Sequence, residues 1–277
     1  MTEITDFAAV LLLLTGGFAL AALATTLTVR LPIPAPAIFL VASAAVAEVW
    51  SSVHEHVPIL TVERIAVVAL IVILFNGGLE IGWRHARGAA GPILSLGVLG
   101  TFATAGIVAA FAHYALGFDW TFSGLVGAAL APTDPAVMFS VLGRREIAGR
   151  SGTILEGEAG VNDPAGIALM IGMIELASHH DASRLVILRE FAVEMAIGTA
   201  FGVAGGLVLV PLLRRLSLPS EGFYPVLALA LAGALYSACA LARGSGFLAV
   251  FIAGLILGDA RLPYKREIGR ASCRERV

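Results

Sequence analysis

Asp134, in Ala131-Pro132-Thr133-Asp134-Pro135-Ala136, and Asp163, in Gly160-Val161-Asn162-Asp163-Pro164-Ala165, each lie near the middle of an apolar stretch long enough to cross a bilayer. A carboxylate at that depth costs about 2.5–3.5 kcal/mol on insertion scales, so its default role is ion or proton handling. Alkali cations are hard ions. By the logic that gives calcium and magnesium oxygen ligands, they take carboxylates, carbonyls, hydroxyls and amides. Asp134, Asp163, Thr133 and Asn162 supply that set, with Na⁺ or K⁺ as the metal the two aspartates would hold. Two nearby carboxylates in a poorly hydrated site raise each other's proton affinity and titrate as a pair. A cation and a proton would then compete for one place.

These residues must be positioned by helices in lipid. The composition is 58% hydrophobic and only 14% charged, with a mean hydropathy of +0.91. Spans of about 20 apolar residues divide the chain into nine candidates: Phe7 to Leu27, Ala35 to Val49, Leu60 to Ile81, Ala89 to Leu116, Trp120 to Leu142, Ser151 to Ala177, Phe191 to Leu213, Phe223 to Leu241 and Gly246 to Gly258. The second could begin nearer Leu31, and the last could be lengthened through Gly244 and Ser245. Pro132 and Pro135 bracket Thr133 and Asp134 and remove two amide donors, which predicts a break in the fifth span. Broken backbone at that depth survives only inside protein or beside water, and its freed carbonyls are the material of transporter ion sites. A competing reading makes Asp163 or Asp134 a helix N-cap followed by proline at the first helical position. For Asp163 it leaves only Pro164 to Ala177 to cross the membrane.

Alternate loops divide the basic residues unequally. One set holds Arg30, Arg84, Arg87, Arg144, Arg145, Arg150, Arg214, Arg215, Arg261, Lys265 and Arg266; the other holds Arg64, Arg184, Arg189 and Arg243. The positive-inside rule then puts the N-terminus outside and the C-terminus in the cytoplasm of a multi-pass protein of the cell membrane. A net charge of −2 gives no basic field for nucleic acid. Cys239 and Cys273 form neither a disulfide framework nor a metal cluster, and no cofactor is implied. Gly198, Gly202 and Gly206, like Gly254 and Gly258, let helix backbones approach, either within the bundle or at a dimer interface.

Leu130-Ala131-Pro132-Thr133-Asp134-Pro135-Ala136-Val137, Leu155-Glu156-Gly157-Glu158-Ala159-Gly160-Val161-Asn162-Asp163-Pro164 and Ser245-Gly246-Phe247-Leu248-Ala249-Val250-Phe251-Ile252-Ala253-Gly254-Leu255 resemble the monovalent cation:proton antiporters of the NhaP and sodium-hydrogen exchanger type. The resemblance implies an all-α polytopic membrane protein with an inverted-repeat antiporter fold of about thirteen spans. It implies a discontinuous helix, a homodimer in membrane lipid, and exchange of Na⁺ or K⁺ for H⁺ by alternating access, in support of pH homeostasis. Asp163 matches the exchange carboxylate with Asn162 as its partner, Asp134 helps form the site, and Thr133 is a backbone ligand. Glu158 matches a structural residue that pairs with an arginine on a late helix. The chain departs from the pattern at Ala159, where many relatives have serine, and at Asn76 in Phe75-Asn76-Gly77-Gly78-Leu79-Glu80, where relatives often have an acid. Glu80 is then a possible third acidic group or a solvated end charge. The asparagine-aspartate pair implies electroneutral exchange.

Residues 1–266 read as one membrane domain, incomplete at its C-terminal end, and the fragment is expected not to transport alone. Glu267 to Val277 reads as a non-native tail, a translated adapter; a basic juxtamembrane tail attracted to anionic lipid is the alternative. Loop residues His54, Glu55, His56, His179, His180 and Asp181 read as solvated, and His113 beside Tyr114 and Glu48 beside Trp50 as interfacial anchors. Two rival functions use the same aspartates or spans. An intramembrane aspartyl protease would flank its aspartate with glycines, a pattern absent here, and a non-transporting subunit or channel would show no proton coupling.

Overall fold

The computed structural model describes residues 58–134, 149–178, 185–216, 220 and 222–260, the helix 35–49 and scattered helical positions from 8 to 23. Pro135, the loop histidines His54, His56, His179 and His180, and the tail 267–277 lie outside the described residues. Every regular element among the described residues is helical. In order they are α1 (Ala35–Val49), α2 (Ile59–Ile81), α3 (Trp83–Gly88), α4 (Ala90–Leu116), α5 (Trp120–Leu130), α6 (Arg150–Ser178), α7 (Leu185–Arg215), α8 (Phe223–Leu241) and α9 (Gly246–Asp259). Four of them, α2, α4, residues 187–215 of α7, and α8, are long and apolar enough to cross a membrane. The protein is an all-α, polytopic membrane protein.

Two compact units divide the chain. The first holds Met1–Val68 and Asp134–Ile147, and so contains α1, the start of α2 and Asp134. The second holds Ala69–Thr133 and Ala148–Val277.

Within the second unit α9 is the core element. Nearly all of its side chains are buried, as expected of a helix that is apolar all round. Ser245 caps it, its hydroxyl accepting from Leu248 N at 3.4 Å, so the helix begins at Gly246 and is not lengthened through Gly244. Its neighbours are α7, α8, α6 and α3, together with the end of α2. There Gly78 meets the backbone of Phe251 and Leu255, and Gly258 meets that of Leu79. The row Gly198, Gly202 and Gly206 on α7 faces Ser245, Ala249, Ile252 and Ile256. That row therefore packs the bundle and is not the interface of a dimer.

Helix ends follow from local chemistry. Gly117, at φ 75°, ends α4, and the Asp119 carboxylate caps α5 by accepting from Thr121 N at 2.9 Å and Phe122 N at 3.0 Å. At the same turn His113 stacks on Trp120 with centroids 4.1 Å apart and Tyr114 packs edge-on against both. Gly82, at φ 71°, makes the α2–α3 turn. It cannot cap α3, and Asp259 does so from the end of α9, accepting from Arg84 N at 2.6 Å. Inside α4 the π-helical turn Ser95–Gly100 packs on α6. A Cβ on Gly97 would come within 2.9 Å of Val161 Cβ.

Candidate functional site

One interrupted span and one continuous helix build the site. The fifth span is helical only to Leu130, and Ala131 to Asp134 leave the helix, as the two prolines predict. Pro132 rests against α6, where a Cβ on Gly166 would collide with its ring. On the other side α6 runs unbroken from Arg150 to Ser178 with Pro164 in its interior. Asp163 is therefore a mid-helix residue and not an N-cap. Pro164 has no N–H, so the Gly160 carbonyl loses its usual i+4 donor.

The break and the helix meet through Thr133, Glu158 and Asn162. Glu158 and Asn162 are four residues apart and share a face of α6. Asn162 is 1% exposed. Its Nδ2 donates to the Thr133 carbonyl at 3.0 Å, to Thr133 Oγ1 at 2.9 Å and to Glu158 Oε1 at 2.9 Å. Thr133 Oγ1 in turn donates to Glu158 Oε1 at 3.0 Å. Three acceptors facing Nδ2 fix which way the amide lies, and Asn162 Oδ1 is left buried without a hydrogen-bond partner. An unpaired buried acceptor costs about 1–3 kcal/mol. Such a group is a ready ligand for a cation or a water.

Of the other residues singled out, Asp163 is half-buried on α6, about 100° round the helix from Asn162. Asp134 is exposed and belongs to the first unit. Ala159, where serine was expected, is half-buried on α6. Asn76 is half-buried next to the enclosed Phe75. Glu80 is exposed and lines a separate cavity of about 570 Å³ with Arg84, His85, Arg150, Thr153 and Glu156.

Sequence reading tied Glu158 to a distant arginine. The structure gives it nearer partners, the hydroxyl of Thr133 and the amide of Asn162. It passed over Glu194, half-buried on α7, although that acid also falls inside an apolar span, the one read from Phe191 to Leu213. The Glu194 carbonyl accepts from Ser245 N at 3.0 Å and joins α7 to the start of α9. It also missed Gly97 and Gly166, whose role is to admit neighbours to α6 and which no pattern in one helix reveals.

Residues 18–268 match the family model described as sodium/hydrogen exchanger, transmembrane. The chain is similar to the K(+)/H(+) antiporter NhaP of Alkalimonas amylolytica, 36% identical over 198 residues that make up 71% of this chain and 34% of that protein. It is also similar to the K(+)/H(+) antiporter NhaP2 of Shewanella sp. strain ANA-3, 34% identical over 69% of this chain and 34% of the relative. A third relative, the Na(+)/H(+) antiporter ApNhaP of Aphanothece halophytica, is 27% identical over 72% of this chain and 38% of its own length. The chain thus spans about a third of the length of the curated relatives it matches.

Proposed function

Because this chain belongs to the sodium/hydrogen exchanger family, we propose that it is the ion-handling segment of a secondary antiporter that exchanges K⁺ or Na⁺ for H⁺ by alternating access. The relatives named for K⁺ share more of its sequence than the one named for Na⁺, which favours K⁺. The observation that carries the reading is the orientation of the Asn162 amide. One hydrogen-bonded unit holds the unwound Thr133 segment to α6 and turns Oδ1 out as an unpaired oxygen in a buried place.

Asp163 is the exchange carboxylate and holds either the cation or the proton. Asp134 is the second carboxylate of the exchange, and cation and proton compete, so that loading by one ion expels the other. The Thr133 carbonyl and Asn162 Oδ1 add neutral oxygens. With alanine at 159, water fills the place a serine hydroxyl would take. Glu158 positions the set: by accepting from both Thr133 and Asn162 it keeps the amide from flipping. The full-length protein works as a homodimer in the cell membrane, with its N-terminus outside.

The decisive test is Asp163→Asn in vesicles bearing the full-length protein. Cation-driven proton movement should disappear; exchange that persists would remove Asp163 from its role. Peptide cleavage without ion flux would favour the protease reading instead, and cation flux uncoupled from protons would favour a channel.

A further inference from the structure

The turn between α2 and α4 lies at a membrane face, because both helices are long and apolar enough to cross. α3 sits in that turn, and its Trp83 and Arg87 stand at one end of a cavity of about 1170 Å³. α4, α7 and α9 supply most of the other walls, with Val161 of α6. α7 and α9 run side by side in the same direction, Gly198 meeting Ser245 and Gly206 meeting Ile256. Asp259, at the end of α9, caps α3 through Arg84 N, so the Arg87 end of the cavity is also the Leu207 end. At the far end Phe191 packs edge-on against Phe102 of α4, ring centroids 5.0 Å apart.

The walls have the chemistry of a lipid site. Among the described lining residues Arg87 alone is charged; it is exposed and makes no ion pair with any described residue. The Thr199 hydroxyl is already satisfied, donating to the Met195 carbonyl at 2.7 Å. Apart from the indole N–H of Trp83, the remaining lining is apolar. Arginine offers phosphate a planar fork of donors, and tryptophan is favoured at headgroup level. Among the described residues no carboxylate lines the cavity, so nothing there pairs with the ammonium of a zwitterionic headgroup. Size argues against a helix as the occupant. From Leu207 to Phe191 the α7 wall is about 24 Å long, which spreads the volume over a mean cross-section of roughly 50 Å², whereas a helix about 10 Å across needs roughly 80 Å². The space is a slot for hydrocarbon chains. Its deep wall includes Val98, in the π-helical turn of α4, and Val161, which directly precedes Asn162.

We propose that this slot binds a phospholipid with a net negative headgroup: its phosphate pairs with Arg87 beside Trp83, and its acyl chains run between α4 and α7 toward Val161 and Phe251. Basic pockets between membrane helices suit anionic headgroups, and apolar walls are better covered by acyl chains than by water. The bound chains back the turn of α6 that presents Asn162.

The test is lipid retention by the full-length protein, followed by native mass spectrometry during titration with phosphatidylglycerol or phosphatidylcholine. Wild type should bind phosphatidylglycerol more tightly. Arg87→Gln should weaken phosphatidylglycerol about fivefold, the effect of about one arginine near an anionic lipid, and leave phosphatidylcholine unchanged. Ala200→Trp fills the slot from an exposed position on α7 and should weaken both lipids. Equal binding of the two lipids by wild type, or a preference for phosphatidylglycerol that Arg87→Gln leaves intact, would overturn the proposal whatever the tryptophan variant does. So would a folded tryptophan variant that binds both lipids like wild type, since the chains then lie elsewhere. Where the tryptophan variant does not fold, Arg87→Gln, at an exposed residue, decides the matter.

Discussion

α6 and α9 are both central, both rich in glycine, and built for opposite purposes. In α9 the glycines bring backbone against backbone: Gly254 meets the Phe75 carbonyl and Gly258 the Leu79 carbonyl, and the rest of the helix before its terminal Asp259 is apolar. In α6 the glycines admit side chains, Ile93 at Gly157, Phe251 at Gly160 and Pro132 at Gly166. The same helix also carries Glu156, Glu158, Asn162 and Asp163. A backbone contact between rigid helices can tolerate no added atom. A contact with a side chain can shift, so the helix that carries these polar side chains is also the one whose packing has room to adjust.

The contrast breaks most sharply at α9. Gly254→Val would drive a side chain into the Phe75 carbonyl and toward Leu79 N, 3.3 Å from even a bare Cβ. Backbone cannot yield there, so the cost should exceed the ~1–3 kcal/mol usual for overpacking. Little monodisperse protein should survive size-exclusion chromatography; a variant with wild-type yield and melting would show that α2 and α9 can separate. Asn162→Ala comes next. It strips the donor from the Thr133 carbonyl and Glu158, and should lower stability by about 1–3 kcal/mol and weaken cation-dependent exchange. An unchanged melting curve in detergent would mean that the unit does not hold the break to α6. Smallest is Thr133→Val, which loses one hydroxyl and about 1 kcal/mol, whereas Thr133→Ser should melt like the wild type. Equal melting of the valine and serine variants would reduce Thr133 to its carbonyl.

Some of this was legible in residues 120–164 alone. Pro132 and Pro135 fix a break whatever surrounds them, because a missing N–H and a ring clash are local facts, and the helix does stop at Leu130. Helix bounds such as Phe223 to Leu241 came from hydropathy, since lipid admits few alternatives to an apolar helix. Glu158 was less legible. Its spacing from Asn162 was visible, but nothing in sequence shows that Thr133, 25 residues earlier, closes the third side.

Sequence by itself determined the helical class, the interruption before Asp134, and the carboxylates and amides available for ion chemistry, because each depends on one residue type and its near neighbours in lipid. Only the tertiary structure decided which way the Asn162 amide points, that the Gly198, Gly202 and Gly206 row serves α9, and that Glu156 shares a cavity with Glu80. Those are relations between helices, set by which backbones can touch, and a linear pattern carries no record of them.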